Sequence, residues 1–262
     1  MRTLRAGGGA LAALLLLAGC RPGGVFVTFR PEEGARYSYR IAVASESVLE
    51  VEGQPPDRED DRVVLFADHE VLAHGAGGTR VEVRLRAGDD VTRTFVVTLD
   101  RSARLAEVER VENIPAEALG ELGLSEIFPA AAGAPPERRL RPGERWDIDE
   151  AVKLPDGARG RLRGSGRVVE LRVVDGTQAA VVTTKVTLVV RRTPNSTLSG
   201  TQKTTSRSVH AVSDGAVIEA RSESAGDFHV EIAPPDGEGG PVAARLLVDV
   251  SSATTRRSIS PR

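Results

Sequence analysis

The sequence predicts a mainly β protein: a curved antiparallel sheet, or half-barrel, made of two duplicated β units with one short helix between them. Three features carry that prediction. Long stretches alternate apolar and polar residues with period two, Asp-Gly and Gly-rich turns separate them, and a weak repeat relates the two halves.

The alternation is clearest in Arg80-Val81-Glu82-Val83-Arg84-Leu85-Arg86, which puts Val81, Val83 and Leu85 on one face and only charges on the other. Residues 94–99 set Phe95, Val97 and Leu99 against Thr94, Val96 and Thr98. Val182, Thr184, Val186, Leu188 and Val190 oppose Val181, Thr183, Lys185, Thr187 and Val189. Strands with one buried and one solvated face belong to antiparallel sheets. Between them lie Gly75 to Gly78, Gly88-Asp89-Asp90, Asp156-Gly157, Asp175-Gly176 and Asp214-Gly215. Asp and Gly tolerate positive φ, so these pairs close hairpins. About a dozen strands result.

The one predicted helix covers 115–128. Pro115 suits a first helical position, and Ala118, Leu119, Leu122 and Ile127 form its apolar set. Gly120 and Gly123 each weaken it by up to ~1 kcal/mol. A Pro- and Ala-rich linker follows over 129–136.

The repeat starts twice. Gly34-Ala35-Arg36-Tyr37-Ser38-Tyr39 opens the first half and Gly143-Glu144-Arg145-Trp146-Asp147-Ile148 the second, at an offset of 143 − 34 = 109. Each start has a proline just upstream, Pro31 or Pro142, and each runs on to an Ala-Val pair. Later elements recur in the same order, the hairpin 70–85 with 170–188 and the turn at Asp100 with that at Asp214. Tyr37 and Trp146 are therefore expected to plug the core at equivalent strand starts.

The N-terminus carries an address. Arg2 and Arg5 precede an apolar run over 10–18, too short to span a bilayer, which needs ~20 residues, but suited to a signal peptide. The run closes on Leu17-Ala18-Gly19-Cys20, which resembles the lipobox of bacterial lipoprotein precursors. That resemblance implies a diacylglyceryl thioether on Cys20, often with a further fatty acid such as palmitate, after cleavage of residues 1–19. The domain would then be lipid-anchored to the cell membrane or an outer membrane, facing the periplasm or exterior. Arg21, where aspartate often signals inner-membrane retention, favours the outer membrane in a diderm. One lipid chain alone binds only marginally, so two or three give stable anchoring.

The expected organisation is a signal over 1–19, a lipidated cysteine and tether over 20–33, a first β unit over 34–114, helix and linker over 115–142, a second β unit over 143–254, and a frayed tail over 255–262. The layout, with Pro142, Gly143 and Trp146, resembles uncharacterised lipoprotein domains common in actinobacteria. More loosely, it is similar to the LolA/LppX type of fold, a curved antiparallel sheet with helix on its concave side. That type implies more helix than this sequence offers.

Composition narrows the function classes. Cys20 is the only cysteine, which excludes an intramolecular disulfide and a Cys-rich metal site. Losing Arg2 and Arg5 from 35 basic against 37 acidic residues leaves a net charge near −4, without the basic footprint that nucleic acid requires. Aromatics make up 3% of the chain, which argues against stacking on sugars.

The chain has four histidines, His69, His74, His210 and His229. His69 and His74, beside Asp68 and Glu70, are five residues apart, ~16 Å on an extended strand, and read as solvated strand residues rather than metal ligands. Asp57-Arg58-Glu59-Asp60-Asp61 reads as a solvated acidic turn, lacking the alternating ligands and central Gly of a calcium loop. Gly164-Ser165-Gly166 reads as a strand bulge or turn, with no nucleophile elbow, and Asn195-Ser196-Thr197 as a hairpin tip. No catalytic set, cofactor or metal is expected. The expected function is a non-catalytic envelope binding module, for an apolar or lipid ligand or, alternatively, a docked envelope protein, with an enzyme as the third class. Whether the sheet's concave face is open or filled decides between the first two.

Overall fold

The computed structural model describes residues 23–87, 92–101, 103, 105–111, 135–153, 159–193, 198–232 and 240–257. Eleven strands follow in chain order: β1 (Arg36–Val51), β2 (Asp57–Gly75), β3 (Gly78–Ala87), β4 (Arg93–Leu99), β5 (Leu105–Val111), β6 (Arg145–Lys153), β7 (Arg159–Val174), β8 (Thr177–Arg191), β9 (Ser199–Ala211), β10 (Val217–Ile232) and β11 (Val242–Arg257). They form one antiparallel sheet in the order β5-β4-β3-β2-β1-β11-β10-β9-β8-β7-β6, open at β5 and β6. Read across the sheet, β5 to β1 and β10 to β6 run in the same direction, with β11 inserted between them. Every sequential pair except β5–β6 is therefore a neighbour in the sheet; the chain passes from β5 at one edge to β6 at the other, and the last strand, β11, completes the sheet by pairing with the first, β1.

The predicted alternation produces these strands. In β3, Val81 and Val83 are fully buried and Leu85 nearly so, while Arg80 and Arg84 are exposed on the other face, paired with Glu109 and Glu82. Hairpin turns fall at the predicted residues. Asp175 (φ +49°) and Gly176 (φ +76°) form the two-residue link between β7 and β8, positive φ at both centres matching the twist of the flanking strands.

The two strand starts have the same hydrogen-bond wiring. Gly34 (φ +79°) donates to the Val71 carbonyl, and Val71 donates to the Ala35 carbonyl. Gly143 (φ +87°) donates to the Val168 carbonyl, and Val168 donates to the Glu144 carbonyl. Directly after Val71 and Val168 the β2–β3 and β7–β8 ladders each slip by a bulge. Tyr37 is the second residue of β1 and Trp146 the second of β6, and both are buried on the same face of the sheet.

That face, with Tyr37, Tyr39 and Ile41 on β1, is the inner one. Along β9 and β10 the residues on it are consistently less exposed than their Lys-, Arg- and Glu-bearing neighbours. At the end where β1 begins, two apolar clusters fill it. One joins β1–β4 to Phe29, Ala216 and Val217; the other joins β6–β8 to Val27 and Leu140. The extended segment 25–30 ties the two together. Val25 and Leu140 exchange backbone bonds at 2.8 Å, Phe29 donates to the Arg101 carbonyl, and Arg30 donates to the Asp214 carbonyl. Gly215 is required here, because a Cβ would overlap the Thr28 carbonyl. A smaller cluster of Ala179, Val181, Val209, Ala211 and Ile218 lies on the outer face.

Several expectations change. The acidic run 57–61 is not a turn: Asp57 to Asp61 pair with Leu49 to Ser45 as the first residues of β2. The second unit does not end at Thr254, since Thr255, Arg256 and Arg257 continue β11 opposite Arg40, Tyr39 and Ser38. Gly164-Ser165-Gly166 is regular ladder within β7, and the bulge comes after Val168. The predicted helix over 115–128 and most of the linker lie outside the described residues. Among the described residues there is no helix, so none that is long and apolar enough to cross a membrane.

Candidate binding groove

Six adjacent strands, β2-β1-β11-β10-β9-β8, wall a single hollow of about 710 Å³, so the sheet is curved and its inner face is not filled along its whole length. The register defines the floor. Val63, Val43, Ser252, Ser222, Ser206 and Thr184 stand directly opposite one another in one row across the sheet. The row continues to Gly166 on β7 and Trp146 on β6. The segment 25–30 and the apolar clusters close the groove at one end. Toward the other, the inner face carries Val250, Val248, Leu246, Leu49, Phe228 and Leu188, all partly buried.

The middle of the floor is a belt of small hydroxyls. Thr184 bonds Ser206 at 2.6 Å, Ser222 bonds Ser252 at 2.8 Å, and Thr204 bonds Ser224 at 2.8 Å. These cross-strand pairs satisfy much of the floor's polarity internally, and small side chains leave the hollow open. The alternation that builds it is written in β9 as Thr204, Ser206 and Ser208 inward, Lys203, Thr205 and Arg207 outward.

Apart from Arg256, charge among the described strand residues is confined to the wings and the outer face. Among the described residues, the inner faces of β1, β7, β8, β9 and β10 carry no charge, and Arg256 near the closed end is the only cation on that face of β11. Asp57, Glu59 and Asp61 share the inner face on β2, opposite Leu49, Ser47 and Ser45. Glu150 stands on that face at the far edge, on β6. Cations line the outside in ion pairs, such as Arg161 with Asp149 and Arg245 with Asp227 (2.9 Å) and Glu50 (3.5 Å). The bond from Arg161 holds the exposed Asp149 carboxyl down at about 2.

The closed end holds the buried polar groups. Tyr37 Oη donates to Asp214 Oδ2 at 2.9 Å, and Asp214 Oδ1 accepts from the Ala216 amide. Burial first, then the Asp214 carboxylate, pushes the Tyr37 hydroxyl well above its ordinary value. The rings of Phe29, Tyr37, Tyr39 and His69 pack in series, with centroids 6.1, 6.4 and 5.0 Å apart, the last pair edge-on. His69 is 5% exposed, and burial lowers its pKa to about 4 against the opposing pull of Asp68. The expectation of a solvated His69 is therefore wrong: its register with Tyr37 puts it on the inner face. His74 is exposed beyond the bulge, bonded to Thr79 at 2.8 Å, so the two do not converge.

His210 Nε2 lies 2.8 Å from Ser208 Oγ, and its Nδ1 lies 3.1 Å from the Gly215 carbonyl. A carbonyl only accepts, so Nδ1 carries the proton and Ser208 donates to Nε2. Burial lowers the His210 pKa. Both side chains are almost fully buried, at 1% and 5% exposure, so the pair ties the β9–β10 turn rather than facing a substrate. Among the described residues no three His, Asp or Glu side chains cluster as a metal site.

Of the residues singled out by sequence, Leu17, Ala18, Gly19 and Cys20 lie outside the described residues, as does Asn195-Ser196-Thr197. Tyr37 and Trp146 are at the closed end and at the groove's β6 side. Gly166 lies under the indole, where a Cβ would overlap the ring, and Gly164 packs against the Lys185 backbone. The hydroxyl belt was not anticipated, because Ser and Thr on a strand give no signal of which face is solvated.

No protein-family model and no curated protein matches the chain. Solved structures that superpose on it include lipovitellin, in a structure of lipid–protein interactions (TM-score 0.40, 14% identity, 88% of this chain and 26% of that one). Another is DynF from the dynemicin biosynthesis pathway of Micromonospora chersina (TM-score 0.23, 9% identity, covering 89% and 85%). A third is OmpT, an outer membrane protein of Vibrio cholerae (TM-score 0.21, 10% identity, covering 88% and 99%). The chain spans about a quarter of the lipovitellin chain, and all three TM-scores lie below 0.5.

Proposed function

We propose that this protein is a lipid-anchored envelope lipoprotein whose curved sheet acts as a non-catalytic binding module for an apolar or lipid ligand. One observation carries the reading: a hollow of about 710 Å³ lies across six strands of the inner face. That volume is in the range of small-molecule sites, roughly 300–1,000 Å³. The uncharged inner faces of β1 and β7–β10 support it, because exposed apolar area costs ~25 cal/mol per Å² until something covers it. The buried Ser208–His210 pair, closed off from the groove, supports a binding role over a catalytic one.

Anchoring through Cys20, and export by the segment before it, rest on the lipobox resemblance. The two β units arose by duplication, a reading supported by the shared Gly–Val–bulge wiring at Tyr37 and Trp146 and by the parallel strand order of the halves. Docking of a protein partner is the competing role, and an open groove favours it less than a filled one would.

The test is extraction and mass spectrometry of the protein purified natively from its host, beside a Ser222→Trp variant that fills the groove floor. A lipid recovered from the parent and lost from the variant is the expected result. Two clean spectra would overturn the binding role.

A further inference from the structure

The belt offers hydrogen-bond donors without a cation beside them, and that combination selects among apolar ligands. Each of the pairs Thr184–Ser206, Ser222–Ser252 and Thr204–Ser224 commits one hydroxyl hydrogen to its partner. A hydroxyl pair holds two hydrogens, so each pair keeps one O–H to give. A fourth donor stands on the same row. Trp146 is 7% exposed and its Nε1–H has no partner among the described residues. Its ring lies across Gly166 and so reaches from β6 over β7 toward Thr184. A buried donor left unpaired costs about 1–3 kcal/mol, and an acceptor in the groove would recover it.

The charges set a second condition. No Lys or Arg faces the belt from β1 or β7–β10, while Asp57, Glu59 and Asp61 stand on the β2 wing. A carboxylate or phosphate headgroup would meet repulsion there, and the only cation on the inner face of the six groove strands, Arg256, stands four residues from the belt toward the closed end.

Resting on the reading of the groove as a lipid site, we propose that it takes an uncharged acyl ester, with the ester carbonyl on the belt. The carbonyl oxygen accepts at the β8–β9 end of the belt, from the Thr184–Ser206 pair and the adjacent Trp146 indole. The acyl chain runs away from the closed end, along Val250, Val248, Leu246 and Phe228.

Trp146 is the only tryptophan in the chain, so its fluorescence reports the β8 end of the belt, next to Gly166. The mature chain, with Cys20→Ser to leave it unlipidated, is titrated with three sixteen-carbon probes: monopalmitoylglycerol, palmitate and hexadecane. Binding is read by displacement of a fluorescent hydrocarbon, and the Trp146 emission is followed in parallel. Monopalmitoylglycerol should bind more tightly than palmitate and shift the emission to the red, while hexadecane binds without a shift. The triple variant Ser206→Ala, Ser222→Ala, Ser252→Ala should bind monopalmitoylglycerol about tenfold more weakly and hexadecane unchanged, the latter showing that the groove is intact. If palmitate binds as well as the ester, or the triple variant keeps full ester affinity, the donor belt is not a carbonyl site and this inference fails alone. If none of the three probes binds, the groove itself is not a lipid site and both readings fall.

Discussion

Acidification should destabilise this protein well before its carboxylates titrate, and His69 is the main reason. The ring sits edge-on to Tyr39 with centroids 5.0 Å apart, is 5% exposed, and has its pKa lowered to about 4 by burial. In the unfolded chain the same group takes up a proton near 6.5. The unfolded state therefore binds more protons in this window, and stability falls as pH drops from about 6.5 to about 4, with no further loss from this group below that. At 1.36 kcal/mol per pH unit the full effect is roughly 3 kcal/mol, of which about 2 kcal/mol is already lost by pH 5. For a domain of this size that corresponds to a fall in Tm of about 4–8 °C between pH 7.5 and pH 5. His210, buried and lowered in the same direction, adds to it. The assay is thermal unfolding followed by circular dichroism at pH 7.5, 6.5, 5.5 and 5, on the parent and on His69→Phe, which keeps an aromatic ring without the titrating nitrogens. His69→Phe should lose much less Tm on acidification, the remainder coming from His210. An identical pH dependence in the two proteins would refute the assignment.

Three other outcomes are expected. Gly166→Val drives a side chain into the Trp146 indole, and should cost about 1–3 kcal/mol in denaturant melts while red-shifting the tryptophan emission. Tyr37→Phe removes the 2.9 Å bond to Asp214 and should cost about 1–2 kcal/mol, with Asp214→Asn and Tyr37→Phe together costing less than the sum of the two. Cys20→Ser should abolish incorporation of labelled fatty acid and leave the precursor uncleaved, as read on a gel after metabolic labelling; normal maturation of the variant would remove the basis for the lipid anchor.

The strands were legible because their alternation is a one-dimensional record of a two-faced sheet: Val81, Val83 and Leu85 could be assigned to the core with no knowledge of their partners. The turns were legible for a local reason too, since Asp175-Gly176 must reach positive φ. Pairing across the sheet was not. That β11 returns to lie between β1 and β10 depends on contacts some 200 residues apart, such as Ser45 with Val250, which no local pattern encodes. His69 reads as solvated because Asp68 and Glu70 flank it, although neighbours on a strand face opposite ways. The groove was half visible. Its apolar far end follows from Val and Leu spacing, but the Ser and Thr of β9, β10 and β11 read equally well as a solvated face. Their cross-strand hydroxyl pairing appears only once register is known.

With a lipid on Cys20, the segment 25–30 would also act as a leash clamp. It is fastened across the closed end at Val25, Phe29 and Arg30, and only four residues separate Val25 from Cys20, a reach of ~17 Å even when fully extended. A lipid on Cys20 would hold the closed end of the sheet against the bilayer surface, with the strands standing away from it and the far end of the groove pointing outward. Any cargo would then enter or leave on the side remote from the anchor, so exchange with a second protein is geometrically easier than exchange with the membrane that holds this one. Lengthening the 21–24 tether with Gly and Ser would relax that constraint and let the groove tip back toward the lipid. Loading rate from the protein's own membrane should therefore rise with tether length, while affinity for ligand stays constant.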